Sequence, residues 1–359
     1  MSVHKDPQTG KWEAHIWYRD SEGVRRRKHK RGFETKKGAE TWSTDFKVAS
    51  SYSNTMTLAQ FTKVYEADRR PRLRLNTWLS KEYVIKNKIL PYLGSKLLNS
   101  ITPRDVMRWQ NKLIRGGEAS GRPYSKTYLR TIHSQLTAIL NHACRFYGLK
   151  DNPATKAGSM GEKNADGISF WTREEYAAFA KVAKFEPIAY HAFEILYWTG
   201  IRLGELLVLT SADIDFEKQT ISISKSYQRI RGEDVVTGPK TLKGRRVVAI
   251  PAELCRELEQ FVVSLDTGKP DDRLFTISKG YLSRHLKQNA QRAELKPIRV
   301  HDLRHSHVSL LIDLGFSAVA IAERLGHGSI EVPYRYAHLF PHRQTELVDR
   351  LNKEMKAVS

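Results

Sequence analysis

Apolar and polar residues alternate along the first part of the chain and predict a small sheet. Residues 12–18 (WEAHIWY) show the period of two that is typical of a strand with one buried face. Residues 20–23 have the composition of a turn, and residues 24–31 return as a second, very basic strand. A helix over residues 36–46 would cover one face of this sheet. We therefore expect residues 1–50 to form a small α+β domain, a three-stranded sheet plus a helix.

The apolar pattern then changes to a helical period and predicts an all-α bundle over residues 56–150. A polar stretch, residues 49–55, separates this bundle from the sheet. Thr102 and Pro103 favour a helix start, because a hydroxyl can cap the helix and proline suits its first position. One stripe at helical spacing should face the core, and its members are Leu129, Ile132, Leu136, Ile139, Ala143 and Phe146.

Residues 150–168 are rich in Gly, Pro, Asn and Lys, which predicts an interdomain linker. The rest of the chain, residues 168–359, reads as a mainly α domain with a small antiparallel sheet. Helices are predicted from residue 173, from Pro187, around Arg202, from His301 and after Ser317. The predicted strands of the sheet are residues 220–226, 234–237 and 246–250.

Composition adds a strong positive charge to this multidomain picture. The formal net charge is +21 and the isoelectric point is about 9.8, which favours a polyanion such as DNA or RNA as partner. A basic protein without such a partner and a membrane-surface binder remain alternatives. No apolar run approaches the roughly 20 residues of a membrane span, and no secretion signal is recognisable, so we expect a cytoplasmic, nucleoid-associated protein. Cys144 and Cys255 are expected to be buried, inert thiols outside any disulfide or zinc cluster.

Two sets of cations are candidates for contacts with DNA. The predicted second strand carries six cations within seven residues, more than the protection of a sheet edge requires. A solvated strand is the alternative for that set. The helical unit adds Lys126, Arg130 and His133 on faces other than its apolar stripe, either for phosphate contacts or as solvated surface. The strand residues are Arg25, Arg26, Arg27, Lys28, Lys30 and Arg31.

The last domain contains a set of residues suited to phosphate chemistry: Arg202, His301, Arg304, His327 and Tyr336. A phosphodiester under attack gathers negative charge, which guanidinium groups can hold bidentately, while a tyrosine hydroxyl can attack phosphorus and form a covalent link. No metal-ligand or nucleotide-binding spacing accompanies the set. Individually, His327 could be a structural histidine after a helix end, and Tyr336 could be a core residue.

Two further residues could support such a site. Glu205 follows Arg202 at the i, i+3 spacing of one helix face, where its carboxylate could orient the guanidinium or form a surface ion pair. Lys240 lies in a turn-like segment before the last predicted strand. A lysine there could protonate a departing oxygen or be merely solvated.

Together these residues closely resemble the tyrosine recombinases, also called phage integrases, over nearly the whole chain. The segments TGIRLGELLVL, HDLRHSHVSLLI, RLGHGSI and YRYAHL are similar to the family's motifs, and Tyr336 follows His327 by nine residues, as the family shows. The resemblance implies that Arg202, Lys240, His301, Arg304 and His327 surround the scissile phosphate, that Tyr336 is the nucleophile and that Glu205 supports them. Lys243 is a weaker candidate for the lysine and Tyr334 for the nucleophile. At the position of Pro333, many members of the family have threonine or another residue that is not proline.

The resemblance also implies a function and an organisation. Residues 1–50 look like an arm-type DNA-binding domain, residues 56–150 like a core-binding domain and residues 168–359 like the catalytic domain. The implied enzyme cuts and rejoins double-stranded DNA at core and arm attachment sites through a 3′-phosphotyrosyl intermediate, without metal, ATP or cofactor, to integrate and excise a mobile element. The implied assembly is a homotetramer on DNA, with accessory DNA-bending or directionality proteins as further partners.

Several alternatives remain open at this point. A type IB topoisomerase would use similar chemistry without pairing specific sites, and a DNA-binding regulator would keep the fold without cutting. A metal-dependent phosphodiesterase would need a cluster of ligands that the spacing does not indicate. In the C-terminal tail, Leu347, Val348 and Leu351 lie at helical spacing and could dock either on a neighbouring subunit or on their own domain.

Overall fold

The computed structural model describes residues 2–19, 25–119, 121–163, 169–239, 244–265 and 269–326, together with residues 348, 351, 352 and 355 of the tail. The chain divides into two compact units, Met1–Asp166 and Gly167–Ser359. Among the described helices, none is both long and apolar enough to cross a membrane.

The first unit begins with the predicted three-stranded sheet. Strands β1 (Ser2–Lys5), β2 (Trp12–Arg19) and β3 (Arg25–Phe33) are antiparallel in the order β1-β2-β3. Helix α1 (Lys36–Thr55) packs on the sheet, where Ala14 and Ile16 are fully buried. The polar stretch at 49–55 was predicted as a separator and is instead the last part of α1. Serine, threonine and asparagine weaken a helix without ending it, and the stretch contains no glycine or proline.

Helices then follow one another as the apolar period predicts. Thr57 caps the first of them through a capping box with Gln60, and Thr102 and Asp105 exchange the same pair of hydrogen bonds at a later start. A π-helical turn, Ile85–Ile89, joins two of the helices. The helices are α2 (Leu58–Arg69), α3 (Leu75–Val84), α4 (Leu90–Leu93), α5 (Pro103–Ala119), α6 (Lys126–Phe146) and α7 (Pro153–Ala157).

Two residues of α6 differ from their predicted environment. The apolar stripe is buried as expected up to Ala143, but Phe146 at the end of the helix is 54% exposed. His133 was assigned to a face away from the core and is buried, where its Nδ1 lies 3.1 Å from Nε2 of Gln110. A histidine next to an apolar stripe can complete a core when a polar partner is buried with it.

The segment predicted as a linker is partly packed. Asn152 caps α7, Ala154 and Met160 are buried in the core of the helical bundle, and Gln110 donates to the carbonyl of Gly158 at 2.8 Å. The prediction was therefore wrong for residues 152–160, because an asparagine followed by proline is also a helix start.

Cys144, expected to be buried, is only partly so, and burial raises the pKa of its thiol to about 11.

The second unit is mainly helical around a core that includes Trp171, Phe179 and Phe193. Its helices are α8 (Arg173–Ala183), α9 (Pro187–Thr199), α10 (Leu203–Leu206), α11 (Ala252–Ser264), α12 (Lys279–Arg292), α13 (Asp302–Asp313) and α14 (Ala318–Leu325). Its strands are β4 (Ile214–Asp215), β5 (Thr220–Ile223), β6 (Ser226–Ile230), β7 (Glu233–Thr237) and β8 (Arg246–Ala249).

The predicted single sheet is in fact two antiparallel sheets. One has the order β4-β5-β8, and the other is the hairpin β6-β7. The predicted strand at 220–226 breaks after Ile223, and the chain restarts as β6. Period-two alternation alone does not locate such a break.

Candidate functional site

The described residues include four of the residues predicted for the catalytic site. These are Arg202, Glu205, His301 and Arg304. The other predicted members lie outside the described residues, so the structure gives them no position. They are Lys240, Lys243, His327, Tyr334 and Tyr336, together with Pro333.

Arg304 connects the ends of two other helices. It lies on α13 and is only 4% exposed. One guanidinium nitrogen, Nη1, donates to the carbonyl of Gly200, which follows α9, and the other, Nη2, donates to the carbonyl of Leu325 at 2.8 Å, at the end of α14. Arg202 comes two residues after Gly200 and His327 two residues after Leu325. Arg304 therefore binds the backbone two residues before each of those predicted site residues.

Gly200 allows the side chains of His307 and Leu325 to pack directly against the backbone at the end of α9. Its φ of +65° lies in the left-handed region that ends helix α9. A Cβ at this position would lie 2.5 Å from Cδ2 of His307 and 2.8 Å from Cδ2 of Leu325. His307 is itself buried, and its Nε2 accepts a hydrogen bond from Nε of Arg324 at 3.1 Å. Burial, with the charge of Arg324, lowers the pKa of His307 to about 3, so this ring is neutral.

The predicted contact between Arg202 and Glu205 is present. Arg202 occupies the position just before α10, and its Nη1 donates to Oε1 of Glu205 at 2.9 Å, while its backbone N–H donates to Oε2 at 2.9 Å. The Arg202 side chain stays 41% exposed, whereas that of Glu205 is 4% exposed. The pair is thus no surface ion pair. A buried carboxylate holds a guanidinium whose far side can still reach an anion in solvent.

Arg246 is a second partner of Glu205, and the sequence gives no sign of it. Its Nη2 donates to Oε2 of Glu205 at 2.9 Å and its Nη1 to Oε1 at 3.3 Å. Burial alone would raise the pKa of Glu205, but the hydrogen bonds and charges of Arg246 and Arg202 outweigh burial and lower it. Glu205 is therefore ionised at neutral pH. Arg246 reads in the sequence only as the first residue of a strand, because pairing across 41 positions leaves no periodic pattern.

Arg324 is another member of the site that the sequence does not indicate. Besides its bond to His307, it donates through Nη2 to the carbonyls of Trp198 at 3.1 Å and Ala249 at 3.0 Å. It thereby connects the last turn of α14 to α9 and to β8. The only available signal would have been an arginine in an otherwise apolar helix stripe, since a buried cation requires polar partners.

His301 lies directly before α13 on the surface of the unit. Desolvation lowers the pKa of its ring, and the positive charges of Arg304, Arg299 and Arg202 lower it further, with Asp302 acting in the opposite direction. The neighbouring His305 ring lies 5.1 Å away, centroid to centroid. His301 is therefore a neutral imidazole close to both candidate arginines, as a hydrogen-bond donor to a phosphate oxygen would be.

The basic strand of the first unit presents its cations on two faces. Strand register places Arg25 and Arg27 on the face opposite α1, and Arg25 lies 4.9 Å from the centre of the exposed Trp17 ring. Arg31 lies on the same face, because its Nε is 3.3 Å from Oε2 of Glu13. Lys30 points to the other face, where its ammonium lies 5.1 Å from the Trp42 ring. The open face thus combines guanidinium groups with an aromatic ring, as surfaces that bind nucleic acid do.

The other predicted DNA-binding residues occupy varied environments. Arg26 and Lys28 alternate with the open-face residues along β3 and are exposed. In the helical bundle, Lys126 forms an ion pair with Glu162 at 2.6 Å, and Arg130 is half-buried. An exposed ion pair of this kind is weak enough to exchange for a phosphate contact.

One group of side chains on the open face has the composition of a metal site. Glu13, His15 and His29 place their ligand atoms within 4.8 Å of one another, a set created by strand register that sequence spacing did not reveal. Arg27 donates to Nδ1 of His15 at 2.6 Å, and Nε2 of His15 lies 3.4 Å from Oε1 of Glu13. His29 lies 2.8 Å from the same carboxylate. The group is already hydrogen-bonded internally and stands among cations, which disfavours a metal ion.

Comparison with known proteins assigns the chain to a family. The model of the phage integrase family matches residues 171–343, that of the phage integrase N-terminal SAM-like domain residues 57–114, and that of an arm DNA-binding domain residues 2–50. The ICEBs1 integrase of Bacillus subtilis is 30% identical over 302 residues, covering 80% of this chain and 79% of the relative. The integrase of Mycobacterium phage D29 is 25% identical, covering 84% and 79%.

Solved structures share the fold. The integrase of transposon Tn1549, in complex with transposon right end DNA, matches with a TM-score of 0.68 at 21% identity, over 78% of this chain and 94% of that one. A lambda integrase tetramer bound to a Holliday junction matches with a TM-score of 0.59 at 19% identity, over 93% and 94%. By the sequence relationship to the Bacillus integrase, and in agreement with this fold, the chain belongs to the phage integrase family of tyrosine recombinases.

Proposed function

We propose that this protein is the site-specific DNA recombinase of a mobile element and that it integrates and excises that element by cutting and rejoining DNA. The observation that carries the proposal is the double hydrogen bond of Arg304 to Gly200 and Leu325, which joins three of the four sequence motifs, TGIRLGELLVL, HDLRHSHVSLLI and RLGHGSI, at one place. The relatives named above include the ICEBs1 integrase and a phage integrase, and the Tn1549 transposon integrase is bound to transposon right end DNA, in agreement with this assignment.

The proposed chemistry begins with Tyr336. Its phenolic oxygen forms a bond to the phosphorus of the scissile phosphate, and the bond from phosphorus to the 5′ oxygen breaks. The phenol gives its proton to the imidazole of His327, while Lys240 donates a proton to the departing 5′ oxygen. The product is a 3′-phosphotyrosyl link and a free 5′ hydroxyl. Because the link conserves the phosphodiester, a 5′ hydroxyl of a partner duplex can attack it and release the tyrosine without ATP.

Arg202 and Arg304 stabilise the charge that develops on the non-bridging oxygens. Preorganised donors are effective because they need not reorient as the transition state forms. Glu205 holds Arg202 in place before DNA binds. His301 is neutral at physiological pH and donates a hydrogen bond from its ring N–H to the phosphate. His327 assists proton transfer. The positive charge of the proposed site favours the ionised form of Tyr336 in the transition state.

DNA recognition is divided among three domains in this proposal. Residues 1–50 bind arm sites through the open face of the sheet, residues 56–150 bind the core site with Lys126 and Arg130, and residues 168–359 perform the chemistry. Four active sites are needed to exchange strands between two duplexes, and the related lambda integrase is a tetramer on a Holliday junction. A homotetramer on DNA, aided by accessory DNA-bending or directionality proteins, is the proposed working assembly.

A nicked suicide substrate tests this function. Its short strand diffuses away after cleavage, so a covalent protein–DNA adduct accumulates. We expect the wild-type protein to form adducts on core-site DNA with a metal chelator present, and the Tyr336→Phe variant to bind the same DNA without forming them. Cleavage that leaves no adduct and stops in chelator would support a metal-dependent phosphodiesterase, and binding without cleavage would support a regulator. Supercoil relaxation without site preference would support a topoisomerase.

A further inference from the structure

Arg246 is a buried arginine that no predicted step of the reaction uses. Its side chain is 7% exposed, and it is the first residue of strand β8. Two of its guanidinium nitrogens bind the two oxygens of Glu205, and its Nε donates to the carbonyl of Arg324 at 3.0 Å. A planar guanidinium makes this pattern possible, since its donors point in fixed directions and match a carboxylate in pairs.

Glu205 accepts hydrogen bonds from both sides of its carboxylate. Arg202 supplies one backbone and one side-chain bond, and Arg246 supplies two side-chain bonds. Within the described part of the chain, the charged groups that shift the Glu205 carboxyl are Arg246 and Arg202, and Arg246 faces Arg324 in turn. Without Arg246, a carboxylate that is 4% exposed would keep Arg202 as its remaining charged partner. A buried carboxylate with too few partners tends to take up a proton.

The same arginine reaches the end of α14. The carbonyl that it binds belongs to Arg324, next to Leu325, whose carbonyl is held by Arg304. His327 follows three residues after Arg324 in the sequence. Arg246 thus contacts both Glu205, which holds Arg202, and the backbone carbonyl of Arg324, three residues before His327.

We propose that Arg246 is a positioning residue of the recombination site, which holds Glu205 against Arg202 and fixes the end of α14. This inference rests on the proposed function. Arg246 touches neither DNA nor the reacting atoms in this proposal, because its guanidinium is enclosed by Glu205 and by the carbonyls of Arg324 and Gly244. Its effect on the rate passes through the orientation of Arg202, and a small displacement of a catalytic group is enough to slow a reaction considerably.

Single-turnover cleavage of a suicide substrate, measured from pH 5 to pH 9, tests the inference. We expect Arg246→Met to bind core-site DNA as tightly as the wild type and to cleave it roughly 10- to 100-fold more slowly at neutral pH. The acidic limb of the rate profile should also move to higher pH. Glu205 with a raised pKa becomes protonated earlier as the pH falls, and neutral Glu205 holds Arg202 less well.

Three further variants make the result specific. Arg246→Lys keeps the positive charge and loses the two-pronged geometry, so its acidic limb should stay where the wild type has it, with part of the rate restored. In a Glu205→Gln background, Arg246→Met should cause no shift of the acidic limb, because no carboxyl remains to titrate. Arg292→Met removes an arginine that is 60% exposed, pairs with Glu186 and lies outside the site, and it should cleave like the wild type.

Several outcomes would overturn the inference. A wild-type rate and pH profile in Arg246→Met would do so, as would an equal loss at every pH together with a loss of DNA binding, which indicates a structural role. If Arg246→Met does not fold, Arg246→Lys decides, and a rate within about twofold of wild type would reject positioning by the guanidinium fork. Failure of the proposed function looks different, because the wild-type protein itself would then form no adduct.

Discussion

The guanidinium of Arg304 donates a hydrogen bond to the backbone carbonyl of Gly200, 104 residues earlier in the chain. A second bond from the same group reaches Leu325, 21 residues later. Local sequence patterns do not encode such a junction, yet it determines where the backbone before Arg202 and the backbone before His327 lie. The proposed phosphate site is therefore built on main-chain carbonyls as much as on side-chain charges.

Replacing Arg304 should damage both folding and cleavage. Arg304→Met leaves the buried carbonyls of Gly200 and Leu325 without this donor, at a cost of about 1–3 kcal/mol each in the free energy of unfolding. Arg304→Lys keeps the charge and is expected to lose less stability than Arg304→Met. It should still cleave on the order of 100- to 1,000-fold more slowly than the wild type. Denaturant unfolding and suicide-substrate cleavage measure the two effects. A lysine variant that cleaves at the wild-type rate would show that the fork is unnecessary.

Gly200→Ala should destabilise the protein more than the same change at Gly232. Both glycines have positive φ, so both alanines carry a backbone strain of roughly 1–2 kcal/mol. At Gly232 a new Cβ meets nothing within 4 Å, whereas at Gly200 it meets His307 and Leu325. The clash should add about 1–3 kcal/mol at Gly200. Urea unfolding of the two variants checks this, and equal losses would contradict the described packing.

His307 should make stability depend on pH in the acidic range. Its pKa is about 3 in the folded protein against 6.5 for the ordinary group, so the unfolded chain binds a proton that the folded protein does not. Stability is thus full above pH 6.5 and falls as the pH decreases towards 3. Between pH 7.5 and 5, wild type should lose about 2 kcal/mol more than His307→Gln in free energy of unfolding. Identical losses in both proteins would mean that His307 is not buried in its neutral form.

The open face of the N-terminal sheet should carry the affinity for arm-site DNA. Arg25→Gln removes a cation from that face, and Lys30→Gln removes one from the same strand but from the face towards Trp42. The Arg25 variant should bind arm DNA more weakly than the wild type. The slope of its log affinity against log salt concentration should be smaller by about one, as expected for the loss of one phosphate contact. The Lys30 variant should bind nearly as the wild type does. Fluorescence anisotropy over a series of salt concentrations distinguishes them, and equal weakening would reject the assignment of faces.

Much of the fold could be predicted from the sequence because its signals are local. The helix start at Arg173, the proline at the start of α9 and the contact of Arg202 with Glu205 depend on spacings of a few residues, and all three are present. Helix ends without glycine or proline were less well predicted, as the extension of α1 to Thr55 shows. A polar composition also concealed the packed residues of α7.

The parts of the site that were missed depend on tertiary contacts. Arg246 and Arg324 acquire partners from other elements, and a strand or helix period contains no information about those partners. His133 is similar, because its burial depends on Gln110 from another helix. Residue types at motif positions therefore indicate the chemistry, while the supporting residues become apparent only from the contacts of the folded chain. The roles of Lys240, His327 and Tyr336 stay predictions of the sequence.

The identity of the residue that becomes bonded to DNA tests the central claim most directly. Adducts from a suicide substrate, digested with protease and nuclease and sequenced by mass spectrometry, reveal the modified side chain and the strand end attached to it. We predict a 3′-phosphate joined to the oxygen of Tyr336, absent in Tyr336→Phe and retained in Tyr334→Phe. A modification at Tyr334, an attachment through a 5′-phosphate, or adducts that persist in Tyr336→Phe would contradict the mechanism.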